Sequence, residues 1–350
     1  MKKILFTGGG SAGHVFPNVA LMEELLSSGE ADVCYMGTNG IEKTVLAEWK
    51  IPYYEITCPK LVRGGGFKGF KQNLGIPFFL SKAIKQAQKG LAIFQPDLVF
   101  SKGGYVALPV VLAAKKLGIP CMCHESDFSA GLANRMSAGK CQTVFTSFPE
   151  TAKTFKNGKY SGAPIRRSIL SAKKAESRKF FDIPVREKVL LIFGGGSGAA
   201  ALNDAVRKHL KTLVKSYTIL HVCGKGNVIE NNLKRYRQFE FVKDMGMAYA
   251  CADVVVSRAG SNTVFEILAM KKPSVLVPLA AQTRGDQAEN AAYFERQGLC
   301  YVLEQSRLNE LCEYVEKAFC DKKLQERLYS AAFARGNERI LREIRQFLSL

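Results

Sequence analysis

A short apolar run that breaks into glycines occurs twice in this chain. The first reads Ile4-Leu5-Phe6-Thr7-Gly8-Gly9-Gly10-Ser11-Ala12-Gly13-His14, the second Val189-Leu190-Leu191-Ile192-Phe193-Gly194-Gly195-Gly196-Ser197-Gly198. A continuous apolar run of this length predicts a strand buried on both faces, as in parallel sheets. Glycines after it let the backbone approach an anion closely, and a helix starting there would add free N–H groups and a positive dipole end. One such turn also serves helix–sheet packing alone. Two, one in each half of the chain, predict two similar α/β domains that hold phosphate.

The length of 350 residues suits two domains better than one core. In the first half, strands are predicted at Lys3–Thr7, Asp32–Met36, Tyr53–Ile56, Asp97–Ser101, Pro120–His124 and Thr143–Thr146. Helices are predicted at Asn18–Ser27, Ile41–Trp49, Ile76–Ile93 and Ala107–Leu117. Gly162-Ala163-Pro164 breaks the pattern, and the basic run Arg166–Lys179, with little strand signal, leads onward. Strands at Val189–Phe193, Thr218–Cys223, Phe239–Val242, Asp253–Ser257, Ser274–Pro278 and Cys300–Leu303 follow, alternating with helices at Ala199–Val214, Met245–Cys251, Thr263–Met270 and Ala288–Gln297. The end is helical, with Ile340, Leu341, Ile344, Phe347 and Leu348 on one stripe. Repeated β-then-α order predicts parallel sheets covered by helices on both faces, with ligands beyond the carboxyl ends of the strands.

Fifty Lys and Arg against 31 Asp and Glu give a formal net charge of +19, which points to an anionic partner: nucleic acid, an anionic membrane or a phosphorylated substrate. No nucleic-acid-binding module is visible, so nucleic acid is not expected. From Ile56 to Pro96 there is no acidic residue; Lys60, Arg63, Lys68, Lys71, Lys82, Lys85 and Lys89 interleave with Phe67, Phe70, Leu74, Ile76, Phe78, Phe79 and Leu80. Such a mixture suits a surface resting on an anionic bilayer. It equally suits a helix with its apolar side in the core and its lysines in water. The N-terminal apolar run meets glycine too early for a signal peptide, and no run reaches the roughly 20 apolar residues of a spanning helix, so a cytoplasmic protein is expected. Ten scattered cysteines without a Cys-x-x-Cys predict reduced core thiols rather than a metal site.

Four segments follow strand ends and should line the crevice: Gly9–His14; Ser101-Lys102-Gly103-Gly104-Tyr105; His124-Glu125-Ser126-Asp127 with Gly131-Leu132-Ala133-Asn134; and Ser257-Arg258-Ala259-Gly260-Ser261-Asn262-Thr263-Val264-Phe265-Glu266; a fifth, Arg284-Gly285-Asp286-Gln287-Ala288-Glu289-Asn290-Ala291, has polar residues just before a helix. In this order, with Gly162-Ala163-Pro164-Ile165-Arg166 and the second glycine loop, they resemble the MurG family, family 28 glycosyltransferases, over essentially the whole chain. These bacterial enzymes move N-acetylglucosamine from UDP-N-acetylglucosamine to the C4 hydroxyl of an undecaprenyl-linked muramyl-pentapeptide, converting lipid I to lipid II in peptidoglycan synthesis. The resemblance implies an α/β fold of the GT-B type: two Rossmann-like domains with parallel sheets facing a central cleft. Residues 1–162 would bind acceptor and membrane, 163–335 the UDP-sugar, and helix 336–350 would pack back on the N-terminal domain. It also implies an inverting transfer without metal or cofactor, at the cytoplasmic face of the cell membrane as a peripheral protein. The absence of Asp-x-Asp agrees.

The resemblance assigns residues as follows. Glu266 takes the ribose hydroxyls, since an ionised acid accepts two O–H groups well. The Val242 backbone reads uracil, and Arg166 touches the donor. Ser261, Asn262 and Thr263, with Gly196 and Ser197, meet the donor diphosphate; Asp286 and Gln287 stand near the sugar. Ser11, Ala12, Gly13 and Asp127 complete the donor set. Gly10, Gly13, Gly103, Gly104 and Asn134 form the acceptor-diphosphate set. For the base that takes the C4 hydroxyl proton, the chemistry of the residues rather than the resemblance makes His14, at the end of the first phosphate loop, the first candidate, with Tyr105 and Glu125 second. Plainer roles stay open: His14 as an acceptor contact, Glu266 as a helix-dipole partner, Gln287 as a helix cap, His124 and Glu125 as partners of buried backbone groups. Three segments depart from the family. Ser11-Ala12 replaces Thr-Gly, and Ala12 would crowd the acceptor diphosphate if it needed positive φ. Asp127 stands where an amide is usual, and Gly196 where a serine is, with Ser197 one residue later. The competing readings are a UDP-N-acetylglucosamine 2-epimerase-like enzyme and a non-catalytic nucleotide-sugar-binding membrane scaffold.

Overall fold

The computed structural model describes residues 1–58, 75–195, 199–279, 286–331, 333 and 336–350. The chain divides into two compact units, Met1–Arg166 with Ala334–Leu350, and Arg167–Phe333. The division thus follows Arg166, where the sequence break was read at Gly162.

Unit 1 holds seven parallel strands: β1 (Lys2–Thr7), β2 (Ala31–Gly37), β3 (Tyr53–Glu55), β4 (Leu98–Ser101), β5 (Cys121–Glu125), β6 (Thr143–Thr146) and β7 (Gly158–Tyr160), in the order β3-β2-β1-β4-β5-β6-β7. Central β1 pairs Leu5 with Cys34 on one side and Val99 on the other. Its alternate side chains feed opposite layers, as a strand's period of two requires. Ile4 and Phe6 join Val19, Met22 and Leu25 on one face; Leu5 joins Met36, Leu91, Val110 and Val111 on the other. All ten cysteines are free thiols, most of them buried.

The C-terminal helix Gly336–Leu348 completes the first of these layers with Ile340, Leu341, Ile344 and Leu348. Phe347, expected on the same stripe, is 43% exposed; it flanks the four positions that face the layer. Asn337 anchors the helix: Oδ1 accepts from Ile165 N at 2.8 Å, and Nδ2 donates to Ile165 O at 3.0 Å. Ion pairs Lys159–Glu343 at 2.7 Å and Arg345–Glu30 at 2.8 Å flank it.

Unit 2 repeats the design with β8 (Val189–Phe193), β9 (Thr218–Val222), β10 (Tyr236–Phe239), β11 (Val254–Ser257), β12 (Ser274–Leu276) and β13 (Tyr301–Val302), in the order β10-β9-β8-β11-β12-β13. The strand expected at Phe239–Val242 lies earlier, because Tyr236 is buried opposite Ile219 and its hydroxyl meets His221 Nδ1 at 2.8 Å. The run Arg166–Lys179 folds into two short helices, Arg167–Ser171 and Lys174–Phe180. The helices Leu132–Ala138 and Pro149–Ala152 and strand β7 also lacked a clear sequence signal.

Candidate active site

Both strand orders set the first strand beside the fourth: β1 by β4 and β8 by β11. The chain leaves those two strands in opposite directions, so a crevice opens beyond their carboxyl ends. In unit 1 it lies between the turn Gly8–His14 after β1 and the turn Lys102–Tyr105 after β4. The turns touch. A Cβ on Gly104 would sit 2.5 Å from the Gly9 carbonyl oxygen, and one on Gly10 would sit 2.4 Å from a Tyr105 ring carbon. Both glycines have φ of +81°, so only glycine fits either place.

His14 ends a 3-10 turn that starts at Ala12, and its Nδ1 is 2.8 Å from Ser11 Oγ. Ala12 is not among the residues with positive φ, so its methyl group brings no backbone strain and the anticipated crowding has no such origin. Beneath the turn lies Glu42, fully buried. Its Oε1 accepts from Thr38 N at 2.9 Å, and its Oε2 from Gly10 N at 3.3 Å. The exposed Gly10 therefore already directs its N–H inward. Burial, then the Glu42 charge, raise the Tyr105 pKa, so Tyr105 meets neutral pH as a phenol and not as a base.

Glu125 is buried with both carboxylate oxygens engaged. Oε1 accepts from Asp127 N at 3.0 Å; Oε2 accepts from Gly131 N at 2.8 Å and Asn134 Nδ2 at 2.9 Å. It holds the loop after β5, the plainer of its two expected roles. Asn134 Nδ2 also donates to His124 O at 3.2 Å, and Gly103 N donates to Ser101 Oγ at 3.2 Å. Asn134 and Gly103 are buried, so their donors shape the loops; Gly13 and Gly104 are the half-buried members of the expected diphosphate set. His124 Nε2 lies 3.0 Å from Gly162 O. Burial, then the Lys102 charge, push the His124 pKa well down, so it donates as a neutral imidazole. Lys102 is itself buried and donates to Ser126 Oγ. Burial lowers its pKa to about 8, against the pull of Glu125 and Asp127. Arg166, expected at the donor, stacks its guanidinium 4.1 Å from the Phe16 ring centroid within unit 1.

In unit 2 the crevice is bounded by the turn after β8 and the segment Arg258–Gly260 after β11. Gly196 and Ser197 lie outside the described residues. The helix Ser261–Ala269 begins at Ser261, Asn262 and Thr263, whose first-turn N–H groups form the positive end of its dipole. One turn further, Glu266 Oε2 accepts from the Tyr249 hydroxyl at 3.0 Å. Val242 is buried in the loop before the helix Met245–Cys251. Gln287, beside Asp286 at the start of the helix Asp286–Arg296, accepts at Oε1 from Leu279 N at 3.1 Å. Arg258 is buried. It donates to Val277 O at 3.2 Å, Pro278 O at 3.3 Å and Gln305 Oε1 at 2.7 Å, and so fixes the chain leaving β12. Lys102 and Arg258 stood in segments expected to line the crevice, without an assigned role. Glu42 and Tyr249 were not singled out; their only sequence signal is a polar residue within an otherwise buried element.

Residues 4–146 match the glycosyltransferase family 28 N-terminal domain and residues 189–344 the family 28 C-terminal domain. A UDP-N-acetylglucosamine–N-acetylmuramyl-(pentapeptide) pyrophosphoryl-undecaprenol N-acetylglucosamine transferase of Clostridium perfringens is 44% identical over 314 residues, 88% of this chain and 87% of its own. The crystal structure of Acinetobacter baumannii MurG matches with a TM-score of 0.76 and 27% identity, over 99% of this chain and 100% of that one. A Listeria monocytogenes structure assigned as a UDP-N-acetylglucosamine 2-epimerase shares the fold alone, at a TM-score of 0.66 and 14% identity over 99% of this chain and 97% of that one. The two parallel sheets are thus the Rossmann-like domains of a GT-B glycosyltransferase. Matched by both family 28 domains and along most of its length by a transferase of defined reaction, the chain belongs to the MurG family of glycosyltransferases.

Proposed function

We propose that this protein transfers N-acetylglucosamine from UDP-N-acetylglucosamine to the C4 hydroxyl of an undecaprenyl-linked muramyl-pentapeptide. The observation that carries the reading is the 44% identity, over 88% of the chain, to a relative named for that reaction. An epimerase would share the fold but not this identity.

In the reaction the acceptor O4 forms a bond to the anomeric carbon, the bond from that carbon to the β-phosphate oxygen breaks, and UDP leaves. The acceptor proton goes to a base. His14 fits this role when Nδ1–H donates to Ser11 Oγ, because that tautomer places the lone pair on Nε2. Gly13 and Gly104, half-buried in the two touching turns, are the candidates for the acceptor diphosphate. On the donor side Glu266 receives the ribose hydroxyls, and the Ser261–Thr263 helix start neutralises the departing diphosphate. Gln287 gives its carbonyl to Leu279, which leaves its amide NH2 as the group to offer a sugar hydroxyl. Charge stabilisation by N–H groups and a dipole makes the transfer metal-independent, and attack opposite the leaving group inverts the anomeric centre.

The lipid-linked acceptor requires a membrane surface, and the helix Ile76–Phe94 offers one. Ala83, Ala87, Gly90, Leu91 and Phe94 bury one side of it. Phe78, Lys82, Lys85 and Lys89 follow at i, i+4, i+7 and i+11 on the other side, and all are exposed, Phe78 at 74%. Phe79 and Ile93 are exposed beside them. Phe67, Lys68, Phe70 and Lys71 lie outside the described residues. Among the described residues no helix is long and apolar enough to cross a membrane. In this reading the protein works peripherally, at the cytoplasmic face where a nucleotide donor is found.

Incubation with UDP-N-acetylglucosamine tests the class of reaction. Consumption of the donor that depends on a short-chain lipid I analogue is expected. Conversion of the donor alone to its 2-epimer would overturn the reading.

A further inference from the structure

Tyr249 lies in the helix Met245–Cys251 and is only 1% exposed. Its hydroxyl donates to Glu266 Oε2 at 3.0 Å, joining two helices across 17 residues of sequence. Its ring meets Phe193 edge-on, with centroids 5.9 Å apart and planes at 67°. Phe193 is the last residue of β8, directly before the second glycine turn. The helix that carries Tyr249 is itself fixed at its start, where the Asp244 carboxylate accepts from Met247 N at 3.3 Å. The phenol is thus held by the Phe193 ring and by its bond to Glu266, on a helix fixed at its own start.

Glu266 is half-buried and carries three rotatable bonds. A glutamate that must be ordered when ligand binds loses rotamer freedom at that moment. A rigid donor that engages one oxygen beforehand fixes the direction of the carboxylate and removes part of this cost. We infer that Tyr249 is a positioning residue for donor recognition: it sets the Glu266 rotamer that receives the ribose hydroxyls, and so makes the site selective for ribonucleoside diphosphates. The inference rests on the reading of Glu266 as the ribose carboxylate. Tyr249 touches no substrate atom in this scheme. A purely structural Tyr249–Glu266 bond would lower affinity for every nucleotide alike, whereas a positioning bond acts only on ligands that carry the hydroxyls.

Calorimetric titration of the full-length protein with UDP and with 2′,3′-dideoxyuridine diphosphate separates these. Tyr249→Phe keeps the ring and deletes the hydroxyl; an unchanged melting curve shows that packing survives. The expected result is UDP binding weakened about 10- to 150-fold, the scale of a hydrogen bond to a charged group, with dideoxy binding unchanged. Adding Tyr249→Phe to Glu266→Gln should cost no further UDP affinity, because the pair acts as one unit. The KM for UDP-N-acetylglucosamine should rise with kcat nearly constant. Equal weakening of both nucleotides, or no weakening of UDP, overturns the inference. Glu266→Gln alone separates the two levels. If it discriminates between the nucleotides and Tyr249→Phe does not, only the positioning role falls; if it does not discriminate, the ribose reading falls and the positioning role with it.

Discussion

His14 owes its setting to its neighbours. The glycine turn sets it at the mouth of the crevice, Ser11 holds its Nδ1 at 2.8 Å, and Gly104 leaves room for the ring by having no side chain. As the base, His14→Ala should lower kcat about 10²- to 10⁴-fold with UDP affinity unchanged, as loss of general-base catalysis does. Steady-state kinetics with calorimetry checks this. An unchanged kcat accompanied by a raised acceptor KM would make His14 an acceptor contact only. Residues with an exposed polar group just past a strand end were legible in the sequence, since strand ends could be read from apolar runs. Glu42 was not. Its carboxylate serves Gly10, 32 residues away, and no local pattern announces such a contact. Glu125 was read both as a second catalytic candidate and as a partner of buried backbone groups; three internal donors engage its carboxylate.

At the scale of elements, the helix Ile76–Phe94 has two faces with different duties. Small residues, Ala83, Ala87 and Gly90, let it lie close on unit 1, while Phe78 and three lysines point into solvent. Each lysine near an anionic surface contributes about 1 kcal/mol, and the phenylalanine adds interfacial burial. Sedimentation with vesicles should rise with anionic lipid content and fall with salt, because the attraction is screened. Changing Lys82, Lys85 and Lys89 together to Glu should release the protein while UDP binding stays intact. If that variant sediments normally, this face is a solvated helix surface and membrane docking lies elsewhere. The helix itself was legible from its period. The faces were only partly so, because apolar residues at its start, Phe78 and Phe79, look like core residues until burial is known. The terminal helix shows the opposite case. Its stripe was visible, and four of the five residues pack as read.

At the scale of the molecule, two sheets with the same relative strand order arise from one repeated sequence device, a buried strand followed by glycines. That repetition made the α/β class legible. Strand β7 and the two short helices of Arg167–Phe180 were not, because their three to seven residues carry too few periods to register. The candidate crevice follows from the order: in each unit the first and fourth strands release their chains at a switch point, and the turns that carry His14 and Ser261 lie just past those strands. One measurement tests the central claim most directly. The protein is incubated with UDP-N-acetylglucosamine and a short-chain lipid I analogue, and the lipid product is examined by mass spectrometry and proton NMR. The expected result is one UDP released for each N-acetylglucosamine gained by the acceptor, joined to its C4 oxygen in the β configuration. A lipid that gains no sugar, or gains it with the α configuration of the donor retained, would contradict the account.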